Sequence, residues 1–130
     1  MAFPIPVTLM YGGACGLLVT GLGAYVSASR GKFKSFIGDA PPPELQRIIR
    51  AHGNASEWVP LGVLLLLLLE VSGLGSLPLH LLGGGFLLAR LLHAMGVIGK
   101  SPLSAAGAGL NYLAVGGMAI WAIVRHFPIG

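Results

Sequence analysis

The chain has 130 residues, of which 55% are hydrophobic and only 9% charged, and its mean hydropathy is +0.83. A soluble domain of this size needs a polar surface that this composition does not supply, which places the chain among membrane proteins. The net charge of +4 rests on few residues at the ends of apolar runs, which excludes a nucleic-acid-binding face, and the single cysteine, Cys15, excludes an intrachain disulfide or a multi-cysteine metal site.

Four membrane spans are predicted in one domain over 1–130. The segment Met1 to Pro6 has no Lys or Arg, and the apolar run after it is longer than a signal-peptide core. The first span, about 7–29, is therefore read as a retained helix. The Pro41-Pro42-Pro43 run punctuates the chain, and Glu44 then favours the first turn of a second helix over about 44–71. That helix is roughly 42 Å long at 1.5 Å per residue, more than a ~30 Å hydrocarbon core, and its polar residues crowd the N-terminal half. It is expected to project into water at that end. The third and fourth spans are predicted over about 77–98 and 104–124.

Arg30, Lys32, Lys34, Arg47 and Arg50 surround the first connection, Lys100 lies in the third, and only Arg125 lies on the opposite side. The excess of Lys and Arg places loops one and three in the cytoplasm and both termini outside it. Glycine supplies 21 residues, many inside the spans: Gly12 and Gly16, Gly83-Gly84-Gly85, Gly116-Gly117. Lipid provides no hydrophobic force between helices, so close approach through small residues is expected to hold a tight, oligomeric bundle.

The start of the second helix carries the chemistry. At 100° per residue, Arg47, Arg50, Asn54, Glu57 and Trp58 fall on one stripe about 16 Å long, while His52 and Glu70 lie on the other side. Arginines snorkelling to lipid phosphates would explain Arg47 and Arg50, but not the shorter and deeper Asn54 and Glu57. On the third helix Arg90, His93, Val97 and Lys100 share one face. Arg90 lies at a depth comparable to that of Glu57, so an ion pair between the two, within a subunit or across an interface, is expected. Arginines suit carboxylates, a carboxylate takes an ammonium and an amide reads a peptide bond. A zwitterionic, peptide-like anion fits this inventory, with an apolar groove beside it for a hydrophobic second substrate.

The run Arg47-x-x-Arg50-Ala51-His52-x-Asn54-x-x-Glu57-x-x-Pro60 resembles the second-helix signature of the MAPEG family, membrane-associated proteins in eicosanoid and glutathione metabolism. The four spans, the basic first loop, and Ala89-Arg90 followed by Gly96 extend the likeness to nearly the whole chain. The resemblance implies an all-α four-transmembrane-helix bundle, a homotrimer, and glutathione bound between subunits near the cytoplasmic face. It also implies a glutathione transferase or peroxidase acting on hydrophobic electrophiles. The alternative is a non-catalytic lipid-binding or scaffold member. By position the resemblance implies that Arg50, Asn54 and Glu57 hold glutathione, with Trp58 at an often aromatic position and Arg30 at a basic position that contributes to the same site. The stripes themselves add Arg47 and Arg90 to the expected glutathione-binding set, glutathione being a co-substrate and no metal being expected.

The chain departs from strongly active members in three places. His93 and Val97 stand where tyrosines are common, Ser101 to Gly107 lacks an arginine, and Gly31 replaces a basic residue. A thiol with an ordinary pKa near ~8.5 needs a cation or donor to become a thiolate at neutral pH. Arg30, His93 and Lys100 are the remaining candidates. His52 is read as packing, Glu70 as snorkelling or paired to Arg125, and His80 and His126 as interfacial. A small four-helix multidrug exporter would need an acid in the first span, which has none.

Overall fold

The structure, a computed structural model, describes residues 4–127. It contains four α-helices: α1 Pro6–Phe33, α2 Pro43–Val71, α3 Ser76–Gly99 and α4 Leu103–His126. All four are long and apolar enough to cross a membrane, and the described residues contain no strand. The chain is an all-α integral membrane protein.

Local chemistry explains the helix ends. Pro6 opens α1, where its missing N–H would have had no helical partner. Beyond Ser29 the helix continues through a polar turn to Phe33. It closes on Lys34 in the left-handed conformation (φ 49°), with Lys34 N donating to Gly31 O and Ser35 N to Arg30 O. Pro43 opens α2 with Glu44 in its first turn. Pro60 lies inside α2, so the carbonyl of Ser56, the residue before Glu57, lacks its usual i+4 donor. A left-handed Lys100 ends α3, and Ser101 N donates back to Gly96 O at 2.9 Å.

The short connections after α2 and α3 make neighbouring helices antiparallel. Helices α2 and α3 form the centre, each touching the other and both outer helices, whereas α1 and α4 do not meet. Glycines set the spacing. A Cβ at Gly96 would run into the Leu103–Ser104 backbone, and one at Gly107 would lie 2.7 Å from Ala89 O and 2.8 Å from His93 Cα. These two positions bring α3 and α4 together backbone to backbone. Gly62 receives the ring of Phe86, and Gly83 with Gly84 receives Tyr11. Gly12 touches Val63, but Gly16, Gly116 and Gly117 face open space within one chain.

Two apolar clusters fill the bundle, one around Phe86, Leu66 and Met118 and the other around Leu22, Ala55 and Ala94. Along α3, Arg90 falls between Phe86 of the first and Ala94 of the second. Glu70 is neither snorkelling nor paired to Arg125. Its carboxylate accepts from Val7 N at 2.9 Å and Thr8 N at 2.7 Å, because the first turn of α1 has no side-chain cap of its own. Arg125 instead donates to the Ser72 carbonyl.

Candidate functional site

The stripe on α2 divides into two lines. Residues seven apart nearly superpose on a helix, so Arg47 and Asn54 share one line, with Trp58 a turn further, and Arg50 and Glu57 share another, about 60° away. The first line faces the neighbouring helices. Arg47 Nε donates to Ile98 O at 3.3 Å, tying α2 to the end of α3, and Nη1 donates to Pro43 O at 3.2 Å. Asn54 Oδ1 accepts from Arg90 Nη1 at 2.7 Å. Trp58 stacks edge-on against Tyr112 of α4, with ring centroids 5.4 Å apart. The second line is exposed, and Arg50 meets Glu57 at 3.4 Å with 64% and 58% of their side chains accessible.

The Glu57–Arg90 ion pair is therefore not formed within the chain. Arg90 points inward to an amide, and Glu57 points outward to Arg50. Arg90 is only 2% exposed, and its Nε has no partner. An isolated arginine at mid-helix costs about 2.5–3.5 kcal/mol on an insertion scale. One amide oxygen offsets part of that cost and supplies no negative charge.

Two spaces open along this line. At the end carrying loops one and three, Pro43, Gln46, Arg47 and Arg50 of α2 face Val97 and Lys100 across an open groove of about 590 Å³. Deeper in, a cavity of about 70 Å³ lies where α2, α3 and α4 converge. Asn54, Trp58, Arg90 and His93 line it, together with Ala108, Asn111 and Tyr112. His93 Nδ1 lies 2.9 Å from Ser104 O. A carbonyl can only accept, so Nδ1 carries the proton, and in the neutral ring Nε2 keeps its lone pair. The backbone contact at Gly96 and Gly107 is what brings that carbonyl within reach.

Arg30 lines neither space and reaches the Ser35 carbonyl at 3.5 Å. His52 packs toward α1, where a Cβ on Gly23 would lie 3.2 Å from its Nε2. Asn111 and Tyr112 had no place in the sequence reading. Asn111 is a lone amide within the apolar fourth span, 1% exposed with Oδ1 unpartnered, and a polar residue at membrane depth is itself a signal of a site. Among the described residues no group of three or more His, Cys, Asp or Glu could hold a metal.

The family model of the MAPEG family matches residues 8–124. The chain belongs to the MAPEG family. Among its MAPEG-like relatives, the inner membrane protein YecN of Escherichia coli (strain K12) is 33% identical over 90 residues, covering 69% of each chain. The protein of the same name from Escherichia coli O6:H1 (strain CFT073) gives the same figures. Nearly the whole described bundle thus lies within the MAPEG match, including both arginine lines of α2, Arg90, His93 and Asn111.

Proposed function

We propose that this MAPEG protein binds glutathione at the basic end of α2 and α3 and transfers it to hydrophobic electrophiles that arrive through the bilayer. The observation that carries the reading is the groove walled by Arg47, Arg50 and Lys100 beside the exposed Arg50–Glu57 pair. Three cations offer sites for the two carboxylates of the tripeptide, and Glu57 offers one for its ammonium. The deep cavity, between Arg90 and His93, is where the thiol end fits.

The basic loops orient this groove toward the cytoplasm. The assembly is a homotrimer. An ion pair exposed on the side of a membrane helix requires a polar neighbour. The outer helices also leave glycines such as Gly16 and Gly116 with nothing packed on them. A second subunit supplies both partners and brings Arg30 toward the groove of its neighbour. Hydrophobic electrophiles or lipid reach the site along the apolar flank.

Calorimetric titration of purified protein with glutathione, followed by conjugation of a hydrophobic electrophile, tests the proposal. Saturable binding that weakens at least about tenfold in Arg50→Ala and Glu57→Gln, the worth of one charge-assisted hydrogen bond, is the expected result. Binding without turnover would point to the non-catalytic, scaffold-like alternative. Wild-type protein with neither binding nor turnover would overturn the reading.

A further inference from the structure

We propose that the pocket between the carboxyl ends of α2 and α4 is a site for an anionic glycerophospholipid, with its phosphate on Arg125 and its acyl chains along the two helices. The inference does not depend on glutathione, because this pocket lies at the end of the bundle opposite the basic groove. It measures about 300 Å³ and is walled by Leu68, Leu69 and Ser72 on one side and Ala122, Arg125 and His126 on the other.

The polar rim is a built structure. Arg125 donates to the Ser72 carbonyl at the end of α2. The turn beyond it passes through Gly73 in the left-handed conformation, where a Cβ would lie 3.9 Å from Arg125 Nη2. The missing side chain thus gives the guanidinium room against the turn. Among the described residues that carbonyl is the one hydrogen-bond acceptor of Arg125, and it brings no formal counter-charge. The remaining guanidinium N–H donors stand at the pocket wall, beside the His126 ring.

The chain has four acids, and none is available here. Glu70 is taken up by the Val7 and Thr8 amides, and Asp39, Glu44 and Glu57 belong to loop one and the opposite half of α2. Subunits sharing a membrane are related by rotation about its normal, so a second copy keeps those three acids at the far end as well. The counter-anion at Arg125 is therefore not a side chain of this protein.

Its chemistry follows from what lies below the rim. Over residues 62–71 and 115–124, about 15 Å of each helix, the only charged side chain is Glu70, which is turned to α1. That length matches half of a ~30 Å hydrocarbon core. A cationic rim above an apolar wall one leaflet deep fits a phosphate carrying acyl chains, whereas free phosphate would gain nothing from the wall. A headgroup ammonium would sit beside Arg125, so a phospholipid without one is favoured.

Trp121 lies one helical turn from Arg125 and is 37% exposed, so its emission reports on the site. Trp58→Phe protein, in which it is the sole tryptophan, is reconstituted in phosphatidylcholine vesicles. Dibrominated phosphatidylglycerol is expected to quench Trp121 with about tenfold higher affinity than dibrominated phosphatidylcholine, the worth of one charge-assisted hydrogen bond. Arg125→Gln is expected to abolish that preference with the helical circular dichroism unchanged. Ala122→Phe, which fills the pocket and spares the rim, is expected to abolish it too. Equal quenching by the two lipids would overturn the site, as would a preference that survives Arg125→Gln. A preference erased by millimolar inorganic phosphate would make this a site for free anions and overturn the lipid assignment.

Discussion

At the scale of single residues, identical side-chain chemistry has different consequences inside and outside the bundle. Arg50 and Glu57 form an exposed pair, and such pairs contribute about 0–1 kcal/mol. Glu57→Gln is expected to leave the thermal unfolding midpoint of a detergent-solubilised subunit nearly unchanged while weakening glutathione. Asn54→Ala is expected to act differently. It leaves the buried Arg90 guanidinium without its one acceptor and costs about 1.5–3 kcal/mol, a lowered midpoint readable by circular dichroism. Glu70 makes a third kind of contribution, ending the first helix from the far side of the sequence. Glu70→Ala is expected to destabilise by about 1–2 kcal/mol, the usual worth of a helix N-cap, with loss of protection from hydrogen exchange centred on Val7 and Thr8. A uniform loss of protection along the whole chain would contradict that assignment.

At the scale of elements, the four spans and their approximate positions were legible because each is a long apolar run with turn residues between them. The polar stripe of α2 was legible for a similar reason, since helical periodicity places Arg47 to Trp58 on one side. The subdivision of that stripe was not. The two lines lie a fixed 60° apart, and which of them meets Arg90 depends on how α2 is rotated against α3, which bulky and small residues such as Phe86 and Gly62 determine. The first helix also outran its apolar segment, because a helix entering water needs no apolar face to continue as far as the Lys34 turn. The contact of α3 with α4 is the most sensitive. At Gly107 an added methyl meets backbone rather than a movable side chain, so Gly107→Ala is expected to cost about 1–3 kcal/mol. It also draws His93 away from Ser104, so catalytic turnover is expected to fall further than glutathione affinity. Gly116→Ala, with open space around its Cβ, is expected to be neutral to the stability of a single detergent-solubilised chain.

At the scale of the whole molecule, the arrangement is a diamond rather than a closed square: α2 and α3 pack across its short diagonal, each against both outer helices, and α1 and α4 do not touch. Both outer helices therefore keep a flank available to another subunit or to lipid. Orientation is testable with the chain's own chemistry, because its one cysteine, Cys15, is fully buried and silent to impermeant reagents. With a membrane-impermeant maleimide on intact cells, Ser76→Cys is expected to label and Lys32→Cys to label only after lysis. The reverse pattern would turn the groove to the opposite face. The Glu70 latch also gives the bundle a history. The amides it secures leave the ribosome 62 and 63 residues before the carboxylate that caps them. At about 5–20 residues per second, the first helix waits roughly 3–13 s for its cap. Until the end of the second span emerges, the leading turn of the nascent chain remains uncapped by Glu70, so the capped form of the first helix is completed only by synthesis of the second.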